Sequence, residues 1–104
     1  MTLEINKIIE QISNQFNPNK IVLFGSHAYG NPDNNSDVDM FVIMEYTGSS
    51  RKQAASILQE IDYKIPIDLL VRSNDQISER IKGGDFFIKE IMEKGKILYE
   101  QNLS

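Results

Sequence analysis

Along residues 3–16, Leu3, Ile5, Ile8, Ile9, Ile12 and Phe16 recur near helical spacing with polar residues between them, which predicts an amphipathic helix. Asn17-Pro18-Asn19 should end it, because proline restricts the residue before it and asparagine favours turns. The apolar run Ile21-Val22-Leu23-Phe24, closed by Gly25, fits a short buried strand. Residues 25–36 are rich in Gly, Asn, Ser, Pro and Asp, and read as a helical turn near 26–29 followed by a polar loop. Alternation then returns over 37–44. Asp37, Asp39, Phe41 and Ile43 fall on one face of a second strand, and Val38, Met40, Val42 and Met44 on the other.

Thr47-Gly48-Ser49-Ser50 breaks the pattern, and Ser49 or Ser50 can cap a helix over 51–61 carrying Ala54, Ala55, Ile57, Leu58 and Ile61. Residues 65–71 predict a third strand, with Pro66 near its start, where a missing donor is tolerable on an edge. Ser73 or Asn74 can cap a helix to about Lys82, which Gly83-Gly84 interrupts. Asp85 can cap another helix, stopped by Gly95, and Lys96–Tyr99 would form a last short strand. The alternation predicts an α/β (α+β) layer structure, with helices packed on a small sheet.

Composition narrows the chemistry. A chain of 104 residues is expected to form one domain, 1–104, burying roughly 65% of its unfolded surface. With no cysteine, disulfides, thiolate metal sites and a cysteine nucleophile are excluded, and a single histidine excludes motifs built on a His pair. The net charge of −4 and the scattered basic residues argue against constitutive nucleic-acid binding. No apolar run approaches the ~20 residues that span a bilayer, and the start lacks a signal-peptide core, so a cytoplasmic protein is expected.

Three features carry candidate chemistry. Asp37 and Asp39 leave the same face of a strand, with Cα atoms about 6.6–6.8 Å apart, and could bracket a hard cation such as Mg²⁺. Read alone, they are more simply two solvated acids at a strand's beginning. Gly25-Ser26 follows an apolar strand, where exposed N–H groups and a hydroxyl can form an anion site. Read alone, it is an ordinary strand-to-helix turn. Asp68 interrupts an apolar strand and shares a face with Pro66 and Leu70. An acid there is costly unless paired, metal-bound or turned to a cleft, although a wet edge strand also accommodates it.

Together these features change the picture. The stretch I-V-L-F-G-S-H-A-Y-G-N-P-D-N-N-S-D-V-D-M-F-V-I resembles the signature of the nucleotidyltransferase superfamily with the DNA polymerase β-type catalytic fold. More closely, the chain resembles the minimal nucleotidyltransferases (MNT), antitoxins encoded beside HEPN-domain partners in toxin–antitoxin pairs. The strict motif covers residues 25–39, and the order of elements extends the likeness over most of the chain. The resemblance implies a polymerase β-like fold with a small mixed sheet. It implies that Gly25 and Ser26 hold the β- and γ-phosphates of ATP. Asp37, Asp39 and Asp68 would coordinate two magnesium ions, Asp68 also helping to deprotonate the attacking hydroxyl. It further implies transfer of AMP to a tyrosine hydroxyl of a HEPN RNase toxin, which silences that toxin.

Other residues invite a functional reading beside a plainer one. His27 and Tyr29 could neighbour the nucleotide, but a partly exposed turn residue and a packing residue are the simpler expectations. Arg51, Lys52 and Arg72 could meet a triphosphate or be solvated charges. Phe86, Phe87, Ile88, Ile91 and Met92 form more apolar surface than one helical stripe needs, so a partner surface competes with core packing. Two further functions stay open: an antitoxin that acts by binding alone, and a transferase acting on a small-molecule hydroxyl or an RNA end. The length leaves little space for the extra domain that the latter substrates normally need, and the acidic balance opposes RNA.

Overall fold

A computed structural model describes residues 2–30 and 37–102, so the Asn31–Ser36 part of the expected polar loop lies outside the described residues. The elements run in the order α1 (Leu3–Phe16), β1 (Lys20–Phe24), α2 (Ser26–Tyr29), β2 (Val38–Ile43), α3 (Ser50–Glu60), β3 (Ile67–Arg72), α4 (Asn74–Lys82), α5 (Phe86–Lys94) and β4 (Lys96–Glu100). This is a mixed α/β architecture, as the alternation predicts.

Local chemistry sets the boundaries. Thr2 caps α1, its hydroxyl accepting from the Ile5 N–H at 3.2 Å. Asn17 ends the helix in the left-handed region at φ +47°, which asparagine tolerates better than most side chains. Ser49 caps α3, and Ser73 forms a reciprocal capping box with Gln76 on α4. The third strand starts at Ile67 rather than Ile65. Pro66 stays outside it, although its carbonyl still accepts from the Val38 N–H at 2.9 Å. Similarly, Asp37 and Met44 flank β2 instead of belonging to it.

The strands form one sheet in the order β3-β2-β1-β4. β2 runs antiparallel to β1 and parallel to β3, while β4 pairs antiparallel with β1. Pro66 therefore precedes an edge strand, where a proline costs no ladder bond. Helices cover both faces. On one, Ile5, Ile8, Ile9 and Ile12 of α1 and Ile57 of α3 pack with Val38, Met40, Val42 and Val71. On the other, Ile77 of α4 and Ile88 and Ile91 of α5 pack with Val22, Phe24, Phe41 and Ile43. Each fully buried side chain of this size contributes about 1.5–3 kcal/mol of hydrophobic free energy.

The α5–β4 junction needs a glycine for space. A Cβ on Gly95 would strike Val22 Cγ1 and lie 3.1 Å from the Leu23 carbonyl oxygen. Because Gly95 lets the chain turn tightly over β1, α5 stays against the end of β1 that leads to Gly25.

Candidate active site

β1 delivers the chain to Gly25, whose φ of +74° and ψ of −159° suit glycine and strain any other residue. Its carbonyl accepts from the Ala28 and Tyr29 N–H groups, both at 3.0 Å, which closes the single turn of α2. Space demands glycine as well. A Cβ at this position would fall on the Asp39 carboxylate, with Cγ only 3.0 Å away. The glycine turn and Asp39 of the D-x-D pair, separated in sequence by 13 positions, thus meet in space.

Register brings in the third acid. Asp39 lies opposite Asp68 in the parallel β2–β3 ladder and opposite Phe24 in the antiparallel β1–β2 ladder. Directly paired residues project from the same side of a sheet. Asp68, Asp39 and Phe24 therefore form one row on the face that α4 and α5 cover further along. Asp37 stands two residues before Asp39, just outside β2, and near enough for its charge to act on the Asp39 carboxyl. Asp37 and Asp68 are exposed, and Asp39 is half-buried.

The electrostatics follow from this placement. The Asp39 carboxyl titrates above the usual carboxylate range, first because burial strips water from it, then because Asp68 and Asp37 oppose its charge. His27 acts in the opposite sense. Among the described residues, no three His, Cys, Asp or Glu side chains are closed into a group that could hold a metal as they stand. Like charges without a counter-ion repel, so an open arrangement is the expected one for the bare acids. The donor chemistry nevertheless fits a hard cation. All three groups offer carboxylate oxygen, and Mg²⁺ is commonly held by one or two carboxylates with its remaining positions left to water and phosphate.

Tyr29 and His27 come closer to these acids than their sequence positions suggest. The Tyr29 phenol is raised above its ordinary value, mainly by burial and then by the charges of Glu90 and Asp39, against the Gly25 backbone, which lowers it. Tyr29 is still 45% exposed, so it borders the site instead of packing beneath it. Glu90 could not be found from spacing, because its place depends on how α5 packs on the sheet. Phe87 also arrives from α5, its ring 5.8 Å from that of Phe24 at 78°. Ile88 and Ile91 of the apolar run are buried, whereas Phe86 and Phe87 are 79% and 54% exposed.

The remaining candidates lie elsewhere. Arg72 pairs with Ile43, at the opposite end of the ladder from Asp68, and its guanidinium donates to Ser50 Oγ at 2.9 Å and the Val71 carbonyl at 2.7 Å. Arg51 and Lys52 are exposed in the first turn of α3, in the other helical layer. Ser26 is exposed as the first residue of α2. A surface cavity of about 760 Å³ is lined by Glu4, Lys7, Glu10, Asp62 and Lys64 among others, on the α1 side of the sheet. Its mixed, solvated charges form no convergent chemistry, so the carboxylate row and not this hollow is the candidate site.

A mixed sheet brings the glycine turn against a strand-borne aspartate, with a second aspartate in register beside it. Residues 6–104 match the family described as "Polymerase beta, Nucleotidyltransferase", and the chain belongs to that family. No protein of curated function matches the chain significantly. No helix among the described residues is long and apolar enough to cross a membrane.

Proposed function

We propose that the chain is a magnesium-dependent adenylyltransferase that moves AMP from ATP to a tyrosine hydroxyl of a HEPN-domain toxin and so acts as its antitoxin. The observation that carries the reading is the contact between the Gly25 turn and Asp39, with Asp68 in register beside it. Family membership supplies the reaction class, and the resemblance of the G-S and D-V-D stretch to minimal nucleotidyltransferases supplies the acceptor and partner.

In this reading Gly25, lacking a Cβ, lets phosphate oxygens approach the backbone, and the Ser26 hydroxyl donates to them. Asp37, Asp39 and Asp68 would hold the metal. When bound, magnesium supplies charge neutralisation for the attacking and leaving oxygens of an in-line displacement at the α-phosphorus, from which pyrophosphate departs. Asp68, exposed on the edge strand, takes the proton of the incoming hydroxyl. The unbound acids repel a triphosphate, so nucleotide capture should require the cation.

The test combines the chain, the HEPN protein of its neighbouring gene, magnesium and α-labelled ATP. Label should appear on a tyrosine of the partner, and the Asp37→Ala/Asp39→Ala double variant should not transfer it. Absence of transfer from the wild type, with toxicity suppressed equally by both chains, would establish neutralisation by binding alone.

A further inference from the structure

The row that contains the carboxylates does not stop at β1. Asp68 lies opposite Asp39, Asp39 lies opposite Phe24, and the Phe24 ring meets the Phe87 ring edgewise at 5.8 Å. Phe24 is also the residue directly before Gly25, so Phe87 stands beside the turn assigned to the phosphates. Its position is fixed from below and behind. The Asp85 carboxylate caps α5 by accepting from the Ile88 N–H at 3.0 Å, and Ile88 and Ile91 anchor the helix in the core. Phe87 nevertheless keeps 54% of its surface exposed. Unlike its more exposed neighbour Phe86, Phe87 thus presents an open ring held against Phe24, next to the glycine turn.

The groups around Phe87 indicate which part of a nucleotide it suits. The charge of Glu90, one turn further along α5, reaches the Tyr29 phenol on the neighbouring turn and raises it. A phosphate would be repelled from that rim, whereas a flat uncharged ring would not. We propose that Phe87 is the stacking platform for the base of the bound nucleoside triphosphate, with the phosphates at Gly25 and Ser26. The inference rests on the nucleotidyltransferase reading of those two residues and adds to it the place of the base. Aromatic stacking contributes roughly 1–3 kcal/mol per base and tolerates any base, so this contact supplies affinity without base specificity.

The test compares magnesium-dependent binding of ATP and of inorganic tripolyphosphate to the full chain and to Phe87→Ala, Phe87→Leu, Phe87→Trp and Phe86→Ala. ATP affinity should fall at least about fivefold in Phe87→Ala and Phe87→Leu, the lower end of what stacking supplies, while tripolyphosphate affinity stays unchanged. Phe87→Trp should retain affinity. As the chain has no other tryptophan, its emission should also change on adding ATP and not tripolyphosphate. Phe86→Ala should alter neither ligand. Equal losses for both ligands, or an undiminished ATP affinity in Phe87→Ala, would overturn the inference and leave the transferase reading standing. A wild-type chain that binds neither ligand would overturn both. Phe87→Ala that binds ATP normally but no longer modifies a protein acceptor would reassign the ring to partner docking.

Discussion

Gly25 and Asp39 are in contact so close that no side chain can be added between them. Gly25→Ala is therefore expected to destabilise the fold by about 1–3 kcal/mol, through its positive φ and through the displaced carboxylate together. Urea denaturation measures it. If the carboxylate is part of the cause, the same substitution should cost less on an Asp39→Ala background, because the opposing group is gone. Purely additive effects would assign the whole cost to backbone strain.

The two exposed acids should separate by role. If the chain transfers AMP with magnesium as proposed, Asp37→Asn is expected to lower that transfer by on the order of a hundredfold or more as metal affinity falls, partly recovered at high magnesium. Asp68→Asn should lose on the order of 10²–10⁴-fold if it takes the hydroxyl proton. Its loss should persist at saturating magnesium. Steady-state transfer rates against magnesium concentration distinguish the two.

Asp39 and Asp85 should respond to pH with opposite signs. The folded-state pKa of Asp39 is raised, so its charge opposes folding once pH exceeds that value, and the penalty disappears as pH falls to the unfolded pKa. Asp39→Asn should therefore raise the thermal midpoint of the metal-free protein at neutral pH and have little effect in acid. Asp85 is lowered, chiefly by the Ile88 N–H it caps and then by Arg80. Its contribution is present above the unfolded pKa and lost as pH falls through the folded one. Asp85→Asn should flatten the acid side of the stability profile. Thermal melts from acid to neutral pH record both.

Magnesium itself is expected to raise the thermal midpoint of the wild type, since a ligand that binds only the folded state stabilises it by mass action. Protons compete for the same oxygens, so the increase should shrink as pH falls toward the raised pKa of Asp39. In Asp39→Asn the increase should be largely abolished. Calorimetric scans with and without the ion check this.

Ser73→Ala removes one half of the capping box on α4 and should cost about 1 kcal/mol, or roughly 4–8 °C in thermal midpoint for a domain near this size. Ser73→Asp should retain most of the stability. Differential scanning measurements decide it.

Much of the fold was legible in the sequence because its punctuation is chemical. Asn17-Pro18, Ser49, Ser73, Asp85 and Gly95 each mark a boundary that the structure places within a residue or two. Strand faces were legible for the same reason, since Val38, Met40 and Val42 enter one core and Phe41 and Ile43 the other. Strand order and register were not, as they depend on contacts between segments distant along the chain. Asp39 opposite Asp68 is such a relationship, set by the register of the parallel β2–β3 pair. Pro66 shows how a boundary slips: the apolar pattern begins at Ile65, but backbone pairing starts only beyond the proline. Tyr29, Glu90 and Phe87 gather near the glycine turn because α5 crosses β1, and no local pattern encodes that crossing.

Strand β2 is hydrogen-bonded on both sides, and four consecutive residues, Met40 through Ile43, are buried. Amides in such a strand exchange with solvent chiefly when the whole molecule opens. Asp39 sits at the head of that strand, so its position should persist as long as the native state does and not flicker with a loop. Slow deuterium uptake there would mean that the carboxylate waits for its ligand already in place.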